Sequence, residues 1–434
     1  MTKLSQIKKK MGEFLVLKDD FIFEVIFGTI INNGLLDNTN PIWLLVVGVS
    51  SGGKTSLVAP FSGINIQGKR GVRFCDDCNE KSFLSGFKIR NPVTQKMEQV
   101  SMLHEMDRDG HKNMIFSDFS SILSKNPLVK NEILTQFRLI NDGDMSKYTG
   151  TGAVKPWKGR QGFLGCGTAS VYRELETAKA VGERFTYYWL DQPSHEEIIQ
   201  KQFESVHSSK EITAIMQPFY NDYYNGVWDF LQSVGMPETP LTSEQEKRVQ
   251  DAVIFCVKGK VTVDQDFRTG RIIGMPNEIS VGRDNKSTHN ILKAVHLMDA
   301  YEKGDRNIPI DDSRIAMIEK ISFSAITRER RKILEILAST QDKLSGTQVG
   351  NRNGLGLDNQ SIQRFLTPLH AVGLIQKDES SNPHKFFIHK DKEKTREFIL
   401  RASKGVREPE QTSFDVAEVE EEGEPWGLGR ADDS

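Results

Sequence analysis

The chain has 434 residues, 37% of them hydrophobic, which is enough for about two to four domains with ample core and excludes a small scaffold dependent on disulfide staples. Its 57 basic and 59 acidic side chains give a net charge of −2, but residues 405–434 hold ten acidic and two basic residues, so the other 404 carry +6 (55 basic against 49 acidic). A mild basic excess permits nucleic-acid contact, and the longest uninterrupted apolar run, "IWLLVVGV", is far short of the ~20 residues that cross a bilayer.

In chain order, "DDFIFEVIFGTIINNG" (19–34) opens on aspartates suited to an N-cap and carries Phe21, Val25, Ile26 and Ile30 at helical spacing before closing on Asn33 and Gly34. This predicts an N-terminal helical lead-in over 1–36. From 41 to about 190, "WLLVVG", "MIFSDF", "QGFLGCGT" and "RFTYYWL" read as strands. They alternate with helices near 54–60, 127–140 and 170–180, the pattern of an α/β fold with a mainly parallel sheet and helices on both faces. Cys75 and Cys78 form one CxxC. A structural zinc would need two more ligands, and the other cysteines, Cys166 and Cys256, stand alone, so free thiols in a reducing cytoplasm are expected.

Residues 194–325 lose the strand runs and predict a helical lid or linker. Residues 326–403 read as three helices followed by two short strands around a turn, a winged-helix order. In its third helix Asp358 is placed to cap, Ile362, Phe365, Leu366 and Leu369 share an inward face, and Asn359, Gln360, Gln363, Arg364 and Thr367 face outward. Pro368 is expected to kink or shorten that helix. The acidic stretch from 404 to 434 lacks the apolar content to offset chain ordering and is expected to be disordered, with a possible protein partner.

The chemistry begins with "GVSSGGKT", which satisfies G-x-x-x-x-G-K-[ST] with Gly48, Gly53, Lys54 and Thr55 between a strand and a helix. Backbone amides of Gly48, Ser50, Ser51, Gly52, Gly53, Lys54, Thr55 and Ser56 are expected to wrap the phosphates of ATP, with Lys54 reaching the β and γ phosphates and Thr55 ligating magnesium. At the end of "NMIFSDF", Asp118 has no acidic neighbour. Either it holds magnesium through water, or Ser117 takes the metal position and Asp118 orients the attacking water; a third reading is a strand-end aspartate that caps the next helix. Thr168, ending "GFLGCGT", is placed to sense the γ phosphate, and Arg184 precedes a buried aromatic strand, where taken alone an arginine reads as a surface ion-pair partner. Between them lies "DGDMSKYTGTGAVKPWKGRQG", whose Lys147, Lys155, Lys158 and Arg160 are spaced among glycines in a loop or hairpin suited to phosphate contact.

The succession "PIWLLVVGVSSGGKTSLV", "FLSGF", "MIFSDFSSILS", "LTQFRLINDGDMSKYTGTG", "WKGRQGFLGCGT", "GERFTYYWL" resembles the AAA+ ATPases of phages and mobile elements related to the minichromosome maintenance (MCM) helicases, over roughly residues 15–400 and most closely to about 190. The resemblance implies an AAA+ P-loop core over 37–193 and a hexameric ring acting on DNA. It puts Asp118, before Phe119, at the catalytic acid position and Ser117 where those proteins carry the magnesium aspartate. It puts Arg184 of "ERF" at an arginine finger that serves the neighbouring subunit, and it makes Lys147 and Lys155 pore residues with Lys158 behind them. Independently of the resemblance, the outward face of the third winged-helix helix, with Arg364, is a second DNA candidate or else a protein contact. Neither Arg283 nor Lys286 matches the second-sensor position of such proteins. The expected function is an ATP-hydrolysing DNA helicase or translocase, the alternative an ATP-gated DNA-binding or helicase-loading switch.

Overall fold

A computed structural model describes residues 2–404 apart from 37–39, 51, 67–68, 80, 86–87, 91–94, 96, 100, 147, 150–151, 154, 178–182, 192, 206, 262, 264–271, 275–280, 341, 353–357 and 390–392. Helices α1 (Leu4–Gly12) and α2 (Ile22–Leu35) lead into a five-stranded sheet of β1 (Trp43–Val47), β2 (Val72–Phe74), β3 (Asn113–Phe116), β4 (Gly162–Gly167) and β5 (Thr186–Trp189). The sheet order is β5-β1-β4-β3-β2 and every pair is parallel. Every residue of β1, β3, β4 and β5 is buried, which explains why these segments are continuous apolar runs: helices cover both faces. Phe163 stacks on Trp43 and Phe116 at centroid distances of 5.2 and 5.3 Å, and Phe119, Phe137 and Phe185 pack edge-on around it.

The helices of this part are α3 (Lys54–Val58), α4 (Met102–Asp109), α5 (Phe119–Leu123), α6 (Pro127–Asp142) and α7 (Ser170–Thr177). α3 passes directly into a 3-10 turn at Ala59–Gly63, so the helix expected near 54–60 is split between two windings. The N-terminal lead-in departs from its reading in two ways. α2 starts at Ile22 with no side-chain cap, because Asp19 accepts the Phe21 amide but is otherwise taken up by a buried ion pair. Asn33 and Gly34 do not end it either. Asn33 exchanges hydrogen bonds with the Ile42 backbone (2.7 and 2.9 Å), fastening α2 to the start of β1, and a Cβ on Gly34 would lie 2.1 Å from the Tyr224 hydroxyl.

Beyond the sheet come α8 (His195–Glu204), α9 (Ser209–Val234), α10 (Ser243–Lys260), α11 (Val281–Lys303) and α12 (Asp312–Phe323). α13 (Arg328–Ser339), α14 (Gly346–Asn351) and α15 (Asn359–Ala371) follow. A small antiparallel sheet of β6 (Leu344–Ser345), β7 (Gln376–Asp378) and β8 (Lys385–Phe387), in the order β6-β8-β7, and a last helix α16 (Glu393–Lys404) complete the described chain. β6 and α16 are additions to the sequence reading. Asp358 caps α15 through the Ser361 amide (2.6 Å), Ile362, Leu366 and Leu369 are buried with Phe365 half-buried, and the helix runs through Pro368 to Ala371 without being shortened. Among the described residues no helix is long and apolar enough to cross a membrane.

Candidate functional site

The carboxyl ends of β1, β3 and β4 lie side by side, the place where open parallel sheets hold ligands. Past the last pair of β1 the Gly48 amide donates to the Gly167 carbonyl (3.1 Å), and the chain then turns back on itself to enter α3. Gly53 closes the turn at φ +76°, in the left-handed region that side chains disfavour, and a Cβ there would come within 3.2 Å of Leu15 Cδ1. Lys54 Nζ folds over the turn and donates to the carbonyls of Gly48 and Val49. Burial holds this ammonium below its usual pKa, and the negative charge of nearby Asp118 works in the opposite sense. Ser50 and Thr55 are exposed, Ser56 is buried, and Ser51 lies outside the described residues.

At the end of β3, Ser117 is half-buried and Asp118 exposed. Asp118 caps α5: its Oδ1 accepts the Ser120 amide at 3.0 Å, which leaves Oδ2 open among the described residues. Ser120 Oγ accepts the Thr168 amide (3.0 Å), and the Thr168 hydroxyl lies 2.8 Å from that of Ser170, so the ends of β3 and β4 are laced together through Asp118, Ser120 and Thr168. Cys166, just before them in β4, is a buried thiol pushed up to about 12 by its burial and thus stays neutral. No group of three or more His, Cys, Asp or Glu residues that could cage a metal occurs among the described residues. A magnesium site built from one hydroxyl, one carboxylate, phosphate oxygens and water needs no such cage, and Thr55 and Asp118 are donors of those two kinds.

Arg184 is elsewhere. β5 runs parallel to β1 with Thr186 opposite Leu44 and Trp189 opposite Val47, so Arg184 precedes the strand at the sheet's amino end. At about 3.3 Å per residue, the four residues of β5 alone put it over 13 Å from the Gly48–Gly53 turn. Within its own chain its Nη2 bonds both carboxylate oxygens of Asp142, at the end of α6 (2.8 and 2.9 Å), and only 9% of the side chain is exposed.

The site includes a part that sequence reasoning missed. Beside Gly52 and Gly53 opens an apolar cleft of ≈ 570 Å³, its mouth included, walled by Phe14, Leu15, Leu17, Leu57, Leu190 and Ile198. α8 lies over it without a single buried residue and is tied to the 14–19 strap by the Lys18–Glu197 ion pair (2.5 Å). These walls come from separated stretches of chain, so no local motif marks them. The one available signal was the apolar "FLVL" immediately before Lys18.

The basic stretch between α6 and β4 is a two-part hairpin. Asp144–Met145 pairs with Trp157–Lys158 at its base, and Tyr148–Thr149 pairs with Gly152–Ala153 farther out. Trp157 is buried and donates to Asp107 of α4 (2.8 Å), so it anchors the hairpin rather than presenting a stacking face. Lys158 is exposed but pairs with Asp144 (3.1 Å), and Lys155 is exposed; Lys147 lies outside the described residues. Arg364 is exposed on α15, well removed in sequence from the hairpin.

No protein-family model matches the chain, and no curated protein matches it. Among solved structures it is similar to a candidate ATPase from Cytophaga hutchinsonii at 10% identity, over 74% of this chain and 85% of that one, with a TM-score of 0.38. At that level the likeness carries no weight for the chemistry.

Proposed function

We propose that the chain is an oligomeric, magnesium-dependent ATPase that moves along or unwinds DNA, of the MCM-like kind that serves replication of a phage or mobile element. The observation that carries this reading is the division of the site. Lys54, Thr55, Asp118 and Thr168 gather at one end of the sheet, while Arg184 stands at the other, paired with Asp142 of its own chain and too far from the Gly48–Gly53 turn to serve it, so that on this reading the γ phosphate it meets is a neighbouring copy's. Lys54 would leave its own turn carbonyls to reach the β and γ phosphates, and the backbone of Gly48–Ser56 would hold the phosphates in place. Thr55, with Asp118 acting through water, would hold magnesium, which supplies charge neutralisation between the β and γ phosphates. In the alternative register Ser117 takes the metal position and Asp118 orders the attacking water; in both, Thr168 contacts the γ phosphate and the apolar cleft takes the base.

Asp118 has a structural duty as a cap, so its two roles must be separated. Asn caps as well as Asp, whereas Ala does not, at about 1 kcal/mol of stability. Asp118→Asn is therefore expected to keep the wild-type unfolding midpoint and ATP affinity and lose hydrolysis. Hydrolysis that survives in Asp118→Asn would leave Asp118 as a cap and nothing more.

For DNA, the outer hairpin with Lys147 and Lys155 is read as the pore contact, Lys158 as its support, and residues 326–403 as a winged helix with Arg364 on its outward face. The logarithm of the affinity for single-stranded DNA should fall linearly with the logarithm of salt concentration, and Lys155→Ala should lower that slope by about 0.7. A slope unchanged by Lys155→Ala would remove the hairpin from the DNA path.

A second reading has its own observation. Ser117 stands where related motors place an acid, which favours a nucleotide-gated DNA-binding or helicase-loading switch. DNA-stimulated ATP turnover without strand displacement on a forked substrate would select it, whereas displacement selects the motor.

A further inference from the structure

Two buried carboxylates line the cleft beside the Gly48–Gly53 turn. Asp19, from the strap, and Asp191, just past β5, both reach Lys320 of α12, each with a carboxylate Oδ2 at 2.8 Å from Nζ. Exposure of the three side chains is 1, 3 and 0%. The remaining contacts lock the same unit: Tyr188 donates to Asp19 Oδ1 (2.5 Å), the Asp191 amide donates to Asp19 Oδ2 (3.1 Å), and Lys320 Nζ sits 5.1 Å from the centre of the Tyr188 ring. Two carboxylates withdrawn from water would repel each other and part. The lysine between them holds the strap and the end of β5 together, and both of these segments line the cleft.

We infer that Lys320 is a positioning residue for the nucleotide base: a buried strut, contributed from 266 positions after Lys54, that sets the width of the apolar cleft while leaving the phosphate turn untouched. The inference rests on the reading of that cleft as the base site. Because Asp19 and Asp191 spend their oxygens on Lys320, Tyr188 and the backbone, the cleft offers the base an apolar slot of fixed width rather than a free carboxylate. Lys320 touches neither the Gly48–Gly53 turn nor Lys54 through any described hydrogen bond, so its effect should fall on the base and spare the triphosphate.

The test compares binding of ATP with binding of inorganic triphosphate, both with magnesium. The variant is Asp19→Asn/Asp191→Asn/Lys320→Met, which removes all three charges together and leaves none stranded. ATP is expected to bind about tenfold more weakly, since small misplacements of a holding surface are costly, while triphosphate binds as it does to the wild type. Equal weakening of both ligands would mark the cluster as general scaffolding and overturn the inference, as would no change in either. Should the triple variant fail to fold by circular dichroism, Lys320→Arg is read instead: it keeps the charge in a longer, forked side chain and should weaken ATP about threefold without moving triphosphate. A wild-type protein that holds ATP no tighter than triphosphate defeats the base-site reading and this inference with it. Binding of neither ligand defeats the proposed function itself.

Discussion

Arg184→Ala is expected to lower ATP turnover by about 10³- to 10⁵-fold while ATP affinity stays near that of the wild type. The size follows from what a finger does: its guanidinium meets the charge that develops on the transferred phosphoryl group, a contact absent from the ground state and so invisible to binding. The site of the effect follows from the sheet, because Arg184 precedes β5 at the end away from Gly48. Its pair with Asp142 supplies the control. If Arg184 merely fastens the entrance of β5 to α6, Asp142→Ala should damage turnover as much as Arg184→Ala. If Arg184 is a finger, Asp142→Ala releases it and most of the turnover remains. Steady-state phosphate release on both variants, with equilibrium nucleotide binding alongside, separates the two.

Lys320→Ala should produce the largest loss of stability of any single substitution considered, about 3–5 kcal/mol, the scale seen when one partner of a buried ionic group is removed. It strands two carboxylates that are 1 and 3% exposed and empties the junction of the strap, β5 and α12. Denaturant titration should show a lower midpoint. The matched triple replacement with Asn, Asn and Met should recover most of the loss, because it leaves no buried charge without a partner. A midpoint for Lys320→Ala within experimental scatter of the wild type would mean that water reaches the cluster.

What could be read from the residues follows a physical division. β1, β3, β4 and β5 were legible because a strand buried on both faces is an unbroken apolar run, and "LLVVG", "NMIF", "FLGCG" and "TYYW" are such runs. β2 was not: "VRF" is three residues long with an arginine in its middle, and it is a strand only because β3 pairs with it. The Gly48–Thr55 turn was legible because its chemistry is local in sequence. The apolar cleft and the Asp19–Lys320–Asp191 cluster were not, since the cleft joins Phe14 to Ile198 and the cluster joins residues 301 positions apart. Asp19 shows the trap in local reading. An aspartate just before a helix has the sequence signature of a cap, yet its carboxylate is consumed by a lysine that no local window contains. Asp118 carries the same signature and does cap, which is why an Asn substitution, and not Ala, is the informative change there.

The same limits explain Trp157. It stands among lysines and glycines in the sequence, but Asp107 on α4 gives its indole a partner and the ring becomes the hairpin's foot. The exposed Lys155 then lies two residues from a fixed anchor rather than in a slack loop.

The proposed working site is made by two copies of the chain, with Lys54 from one and Arg184 from the next. Its most direct test is ATP turnover in a mixture of Lys54→Ala and Arg184→Ala proteins, each inactive alone. A head-to-tail assembly places the intact Arg184 of one variant against the intact Lys54 of the other, so turnover should reappear on mixing and rise with the proportion of mixed contacts. Mixtures that stay as inactive as their components, after conditions that exchange subunits, would contradict the shared site.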